Sequence, residues 1–377
     1  MDIEFAKYTS FGNTFIIVDE TVTPLADDEQ RAAFARWALN GDFGIGGTDN
    51  VLYLSEAPGR ADYLFRIFEV DGSETLSCGN GLLCTAAALR RAHGGDRWEV
   101  LTELPTGRPR SVRVGTADGP PDGTAEGPAD GTGRSPAEDA VGGDGHGGAW
   151  VDMGLTRPVP AELINRSGPP PADGIDHITG LDVPGVGKLA GYLTFSGEPH
   201  LALFRGHGLP DGLAERLFID ARGALGEPDG PAIEESVALA HHIGTHVNRA
   251  YRELFPQGVH LNFARVEGRR VEYRTWERAI NCETLACGSG TVAMAHVGRE
   301  LGLLPEGEIT FWPHRCRWYQ PDAALTVTST ESGYVVTGQP RLVCVGVVPR
   351  TSYAWATQTL SNRSAKDLSH ALTATAG

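Results

Sequence analysis

Two cysteines occupy the same point of a phrase that the chain uses twice. Glu74-Thr75-Leu76-Ser77-Cys78-Gly79-Asn80-Gly81 and Glu283-Thr284-Leu285-Ala286-Cys287-Gly288-Ser289-Gly290 align at an offset of 209 residues. Each phrase ends in a glycine-containing turn and runs into an apolar, alanine-rich stretch. Each thiol is therefore expected at or just before a helix N-terminus, where unpaired N–H groups favour negative charge. That position lowers a thiol's pKa toward neutrality, and the thiolate is the reactive form. Two such thiols on two similar halves point to a facing pair. One thiolate removes a proton from one face of a carbon while the opposing thiol protonates the other face, which inverts a stereocentre. The helix N-termini also offer N–H groups to an α-carboxylate, and the chemistry needs no cofactor.

Other uses of cysteine fit less well. The spacings Cys78-x5-Cys84 and Cys282-x4-Cys287 are not the short paired spacings of zinc sites, and no histidine follows at ligand spacing, so no metal is expected. Nothing points to an oxidising compartment, which argues against a permanent disulfide. Cys84, Cys316 and Cys344 lie in apolar runs and read as buried core thiols. Cys282 receives no role. Gly44-Ile45-Gly46-Gly47 resembles a phosphate loop only superficially, because it does not open a βαβ fingerprint.

These thiols need a scaffold. A chain of 377 residues with 41% apolar content has room for two domains with ordinary cores. A net charge of −16 excludes nucleic acid and anionic membrane surfaces as expected partners. Residues 116–148 carry seven acids and one arginine, hence −6 of that charge, in a Gly/Pro/Asp/Ala tract too poor in large apolar side chains to offset its ordering entropy. The tract reads as a disordered acidic insertion. With no basic leader, no signal-peptide core and no apolar run near the roughly 20 residues that span a bilayer, a cytoplasmic protein is the expectation.

Around the insertion, strands are predicted at 2–9, 14–20, 50–55, 63–70 and 111–115, with helices at 27–39 and 82–93. Beyond it, strands are predicted at 149–153, 192–195, 201–204, 260–266, 271–276, 308–311, 324–328, 334–337 and 343–348, and helices at 212–217, 233–242 and 291–301. Many short strands around one helix in each half imply a closed or nearly closed sheet about a central helix, an α/β (α+β) class. The expected division is a domain at 1–115, to which a last strand at 340–350 returns, a second domain at 149–339, and a flexible tail at 351–377.

The motifs resemble those of the diaminopimelate epimerases, cofactor-independent two-cysteine enzymes of two pseudo-symmetric domains. The resemblance covers 5–115 and 148–348. Its carriers are Lys7-Tyr8-Thr9-Ser10-Phe11-Gly12-Asn13, Arg66-Ile67-Phe68-Glu69-Val70-Asp71-Gly72-Ser73-Glu74, Gly197-Glu198-Pro199-His200, Trp276-Glu277-Arg278 and the two cysteine phrases. It implies that Cys78 and Cys287 are the acid/base pair. It further implies that N–H groups of Gly79, Asn80, Gly288 and Ser289 hold the substrate α-carboxylate, that Asn13 contacts the reacting end, and that a homodimer forms.

The departures fall at the distal end of the substrate site. Glu69, Glu198 and His260 stand where the family has asparagines, and Asn50 where it has a glutamine, while Glu277 and Arg278 keep the family's acidic and basic pair. Two carboxylates should repel a second substrate carboxylate and attract a cation. The expected substrate is an amino acid with a basic or polar side chain, such as a diamino acid, histidine or arginine. Alternatives are a true diaminopimelate epimerase, LL to meso, a proline-racemase-like isomerase, and a catalytically silent binding protein.

Overall fold

One order of turns, crossovers and helices occurs in both halves of the chain. The computed structural model describes residues 2–59, 61–107, 109–116, 148–221, 230–278 and 280–353. They form two compact units, one of residues up to Val114 together with those from Pro340, the other Gly115–Gln339. The acidic insertion and the tail, read from sequence as disordered and flexible, fall almost wholly outside the described residues.

The first unit contains β1 (Ile3–Ser10), β2 (Asn13–Asp19), α1 (Asp28–Ala38), β3 (Asn50–Glu56), β4 (Tyr63–Phe68), β5 (Glu74–Thr75), α2 (Gly79–His93), β6 (Arg97–Thr102) and β7 (Arg110–Thr116). The second contains β8 (Ala149–Gly154), β9 (Asp176–Val183), β10 (Gly187–Phe195), β11 (Pro199–Arg205), β12 (Gly208–Leu209), α3 (Asp211–Leu217), α4 (Pro231–Ala250), β13 (His260–Glu267), β14 (Arg270–Glu277), β15 (Cys282–Thr284), α5 (Gly288–Glu300), β16 (Glu308–Pro313), α6 (Cys316–Tyr319), β17 (Leu325–Thr330) and β18 (Gly333–Gly338). The last strand, β19 (Arg341–Val348), pairs antiparallel with β1.

In the first unit an antiparallel pair β1/β2 is followed by a crossover through α1 to β3, parallel to β2. An antiparallel pair β3/β4 and the short return strand β5 come next, and then α2 leads to β6, parallel to β4. The second unit repeats this as β10/β11, a crossover through α3 and α4 to β13, then β13/β14, β15, α5 and β16. The register repeats too. Asn50 faces Phe15 and Val51 faces Phe68, as His260 faces His200 and Leu261 faces Trp276.

The helix after each cysteine is buried along its first turns. Gly79 through Ala87 of α2 are all buried, as are Gly288 and Gly290 through Ala295 of α5. A helix apolar on every side belongs inside a sheet rather than on it. The outer helices cover the other faces: α1 through Phe34 and Trp37 against Tyr53 and Phe68, and α4 through Ile243 and Val247 against Phe263 and Trp276. Gly244 lets the Trp276 ring lie on α4, since a Cβ there would stand 2.3 Å from the ring.

Several boundaries differ from the sequence expectation. The helix predicted at 233–242 runs over Pro231–Ala250, α2 and α5 begin at the glycines that read as turns, and β6, β9 and α6 were not predicted. Gly180, at φ +72, breaks the strand pattern of β9 and coincides with a register shift against β10. In α6 and the preceding strand, Trp312 lies beneath the guanidinium groups of Arg317 and Arg270, 4.2 and 5.1 Å from its ring centre. Cys344, expected in the core, is exposed, because β19 has a ladder partner on one side only among the described residues and turns Val343, Val345 and Val347 outward. No described helix is long and apolar enough to cross a membrane, and among the described residues no group of three or more His, Cys, Asp or Glu could hold a metal.

Candidate active site

In the first unit the β1/β2 turn fixes Asn13. Phe11 (φ +53) and Gly12 (φ +84) form a two-residue turn of positive φ between Ser10 and Asn13, the geometry that matches strand twist. A bulky side chain in that region costs roughly 1–2 kcal/mol, and burial of the Phe11 ring holds it there. Thr14 N–H donates to the Asp49 carboxylate at 2.7 Å and Lys7 Nζ donates to the Gly46 carbonyl at 2.9 Å, so the glycine loop is tied down and Asn50 is set at the start of β3. Burial pushes the Asp49 carboxyl up against the opposing pull of Thr14 and Lys7. Glu69 opens the turn after β4, with its N–H donating to the Ser73 carbonyl and its carbonyl accepting from Gly72 N–H, both at 2.9 Å.

Both cysteines are helix N-caps in extended conformation, Cys78 at φ −146°, ψ 117° and Cys287 at φ −133°, ψ 111°. All six cysteines are free thiols. Neither helix has an acidic residue in its first turn, so the N–H groups of Gly79, Asn80, Gly288 and Ser289 stand at uncompensated positive ends. The glutamate that opens each phrase is structural. Arg66 grips Glu74 through Nε at 2.8 Å and Nη2 at 2.5 Å, and Arg274 grips Glu283 through Nε at 2.5 Å and Nη2 at 2.6 Å. These bidentate pairs clamp the strand that leads into each thiol. Cys84, buried in α2, has its thiol pushed up by burial and by the neighbouring Cys78, and stays protonated.

The second unit surrounds its thiol differently. Cys287 is 7% exposed, its Sγ accepts from Gly290 N–H at 3.4 Å, and Ser289 Oγ lies 3.4 Å from it. Ser289 Oγ is 3.0 Å from His200 Nε2, His200 Nδ1 is 3.2 Å from Asn262 Nδ2, and Thr275 Oγ1 donates to Asn262 Oδ1 at 3.1 Å. The amide NH2 can only donate, so His200 Nδ1 accepts and its proton sits on Nε2. Nε2–H then donates to Ser289, whose own hydrogen is left for the Cys287 sulfur. Burial, then the charges of His260 and Arg278, hold the His200 imidazole well below its usual pKa, which keeps it neutral. The chain thus directs a hydroxyl donor at the Cys287 sulfur.

The register places different side chains at the equivalent positions of the first unit. The first-unit equivalents of His200, Asn262 and Thr275 are Phe15, Leu52 and Ile67, all buried and apolar. A Cβ on Gly81 would meet Leu52 and Phe65 carbons at 3.4 Å, whereas one on Gly290 would meet Asn262 Oδ1 at 2.5 Å.

The distal residues of the second unit form one cluster. The Arg278 guanidinium pairs with Glu198 and donates to the Gln257 carbonyl at 2.9 Å, and His260 Nε2 lies 3.9 Å from Glu198 and stacks on His200 at 4.9 Å. Burial pushes the Glu198 carboxyl up, but His260 and the Arg278 charge outweigh it and hold it below the ordinary carboxylate value. Glu277 accepts from Thr284 Oγ1 at 2.5 Å. The structure thus brings Glu198, His260, Arg278, Cys287 and Ser289 together around His200, and separately positions Asn13, Asn50, Glu69, Cys78, Gly79 and Asn80 in the other unit. In the sequence His200 is legible only as the end of the Gly197-Glu198-Pro199-His200 motif, and Asn262 and Thr275 are not singled out. Nothing along the chain points to them, since their proximity comes from strand register.

Comparison with known proteins bears on this arrangement. The diaminopimelate epimerase family profile matches residues 5–116. A diaminopimelate epimerase of Methanothrix thermoacetophila is 32% identical over 307 residues, 81% of this chain and 84% of the relative. That of Archaeoglobus fulgidus is 28% identical over 305 residues, 80% and 84% of the two chains. The solved structure of a Pseudomonas aeruginosa protein described as a predicted epimerase superposes with a TM-score of 0.54 at 18% identity, covering 91% of this chain and 98% of that one. Two units repeating one strand order, each around a cysteine-capped helix, have the fold of the epimerases and racemases. The chain belongs to the diaminopimelate epimerase family. It is an isomerase of the epimerase or racemase type, acting on a small molecule.

Proposed function

We propose that the protein inverts the α-carbon of an amino acid without a cofactor, using Cys78 and Cys287 as a two-base pair. The observation that carries this is the duplicated N-cap geometry of the two thiols, each clamped by an Arg–Glu pair and each leading a helix with no acidic residue in its first turn. In the proposed reaction Gly79, Asn80, Gly288 and Ser289 N–H groups bind the α-carboxylate and stabilise the negative charge that develops as the proton leaves. The Cys287 thiolate, supplied with a hydrogen bond through Ser289, takes the α-proton, and the Cys78 thiol gives its proton to the opposite face. The negative charge moves from one sulfur to the other, so the reverse substrate finds the opposite protonation state. Asn13, Asn50, Glu69 and Glu277 complete the substrate pocket in this reading.

The substrate is an amino acid with a basic or polar side chain. Arg278 is already paired with Glu198, and Glu69 adds negative charge to the proposed pocket. The competing reading is diaminopimelate itself, favoured by the names of the relatives. To decide, the reduced protein is incubated in D2O with L-amino acids and diaminopimelate, and deuterium at Cα is followed with chirality. Exchange with inversion for a basic amino acid, lost in Cys78→Ser and in Cys287→Ser, is the expected result. Exchange confined to diaminopimelate would reject the substrate assignment, and exchange that survives either substitution would reject the two-thiol mechanism.

A further inference from the structure

A polar cavity of about 400 Å³ opens in the second unit where α4 ends. Three guanidinium groups line it, from Arg249, Arg252 and Arg278, with Gln257 and Asn281 beside them and the Phe255 ring in its wall; no carboxylate does. Among the described residues neither Arg249 nor Arg252 has a hydrogen-bond or ion-pair partner, although the chain as a whole carries −16. The wall is rigid. Asn248 donates to the Gly244 and Val259 carbonyls at 3.0 and 3.1 Å and accepts from Val259 N–H at 2.8 Å. Gly258, at φ +78, passes so close that a Cβ there would stand 2.6 Å from Asn248 Oδ1. Like charges held together at a concave surface repel one another, and arginine's planar fork matches the oxygens of carboxylates and phosphates.

We propose that this cavity binds a small doubly charged oxyanion, of the phosphate-ester or dicarboxylate class, through Arg249, Arg252 and Arg278. Two unpaired guanidinium groups set the charge at two, and Arg278 contributes as the shared member. Arg278 also connects the cavity to Glu198, so a bound anion weakens the positive field that Glu198 feels and leaves more of its charge for a cationic substrate. This last consequence rests on the substrate reading proposed above, and binding itself does not.

Calorimetric titration of the intact chain with inorganic phosphate and with succinate, at constant ionic strength, tests the site against an Arg249→Glu/Arg252→Glu variant. Both side chains are exposed and unpartnered, so the variant keeps its fold. The expected result is one anion per chain, bound about tenfold or more weakly by the variant, and the tighter of the two anions identifies the class. Equal affinity in the variant, or no binding of either anion, overturns the site. With the site loaded, KM for a basic amino acid should fall while kcat stays constant, and the variant should lose that response. Intact binding with an unchanged KM would overturn the link through Arg278 and the cationic-substrate reading, and would leave the anion site standing.

Discussion

At the scale of single residues, the two thiols share backbone geometry and differ in what lies behind them. Cys287 has a polar chain that ends in a hydroxyl donor, while the equivalent places near Cys78 hold Phe15, Leu52 and Ile67. Replacing Asn262 by leucine makes the second unit resemble the first. Without the amide donor, His200 no longer has its proton fixed on Nε2, and the Ser289 hydrogen is free to turn from the sulfur. In a Cys78→Ser background, the pH dependence of alkylation of Cys287 should then move up by about one pH unit, equivalent to about 1.4 kcal/mol. An unmoved profile would mean that the chain does not act on the thiol. Glu198 belongs to the same scale. Glu198→Gln releases Arg278, so the variant should lose affinity for basic amino acids by roughly tenfold in KM and gain tolerance of a distal carboxylate, measured in the same exchange assay.

At the scale of elements, what matters is how closely each cysteine helix approaches the strand beneath it. Gly290 sits against Asn262 with no room for a Cβ, whereas Gly81 has ordinary contact distance to Leu52 and Phe65. Gly290→Ala should therefore push α5 off its strand, with a cost of about 1–3 kcal/mol and a large loss of activity, while Gly81→Ala is expected to stay within about 1 kcal/mol of the parent. Urea unfolding of both variants checks the pair, and equal destabilisation would contradict the asymmetry. The Arg66–Glu74 and Arg274–Glu283 clamps act at this scale too. They tie the glutamate in each repeated phrase to an arginine of the neighbouring strand, a partnership that the repeat alone does not reveal.

At the scale of the whole molecule, stability should depend on pH in two limbs. His200 is held well below its usual pKa by burial, so below about pH 6.5 the unfolded chain takes up a proton that the native state refuses, and stability falls with acidification at up to about 1.4 kcal/mol per pH unit. Asp28, lowered by its hydrogen bond with Arg66, and Glu198 and Glu272, where the attraction of their partners outweighs the effect of burial, also have carboxyls below the ordinary range. Their contribution is present above about pH 4.5 and is lost as pH falls through their folded values, which steepens the decline. Asp49, pushed up by burial, works in the opposite direction and softens it. Urea midpoints measured from pH 8 to pH 4 should show both limbs, and His200→Gln should flatten the first; a first limb that survives this substitution would assign it elsewhere.

The placement of each thiol was legible along the chain. A repeated Cys-Gly-x-Gly phrase before an alanine-rich run places a thiol at a helix N-cap, because glycine permits the turn and the following residues favour helix whatever surrounds them. The sequence also carried the family, through motifs whose residues are adjacent along the chain. Which side chains stand behind Cys287, and what Arg278 holds, emerged from the folded chain. His200, Asn262 and Thr275 come from β11, β13 and β14, and Glu198 and Arg278 are 80 residues apart in sequence. Their proximity is set by strand pairing and register, where a slip of one residue would turn each strand's side chains to the other face of the sheet.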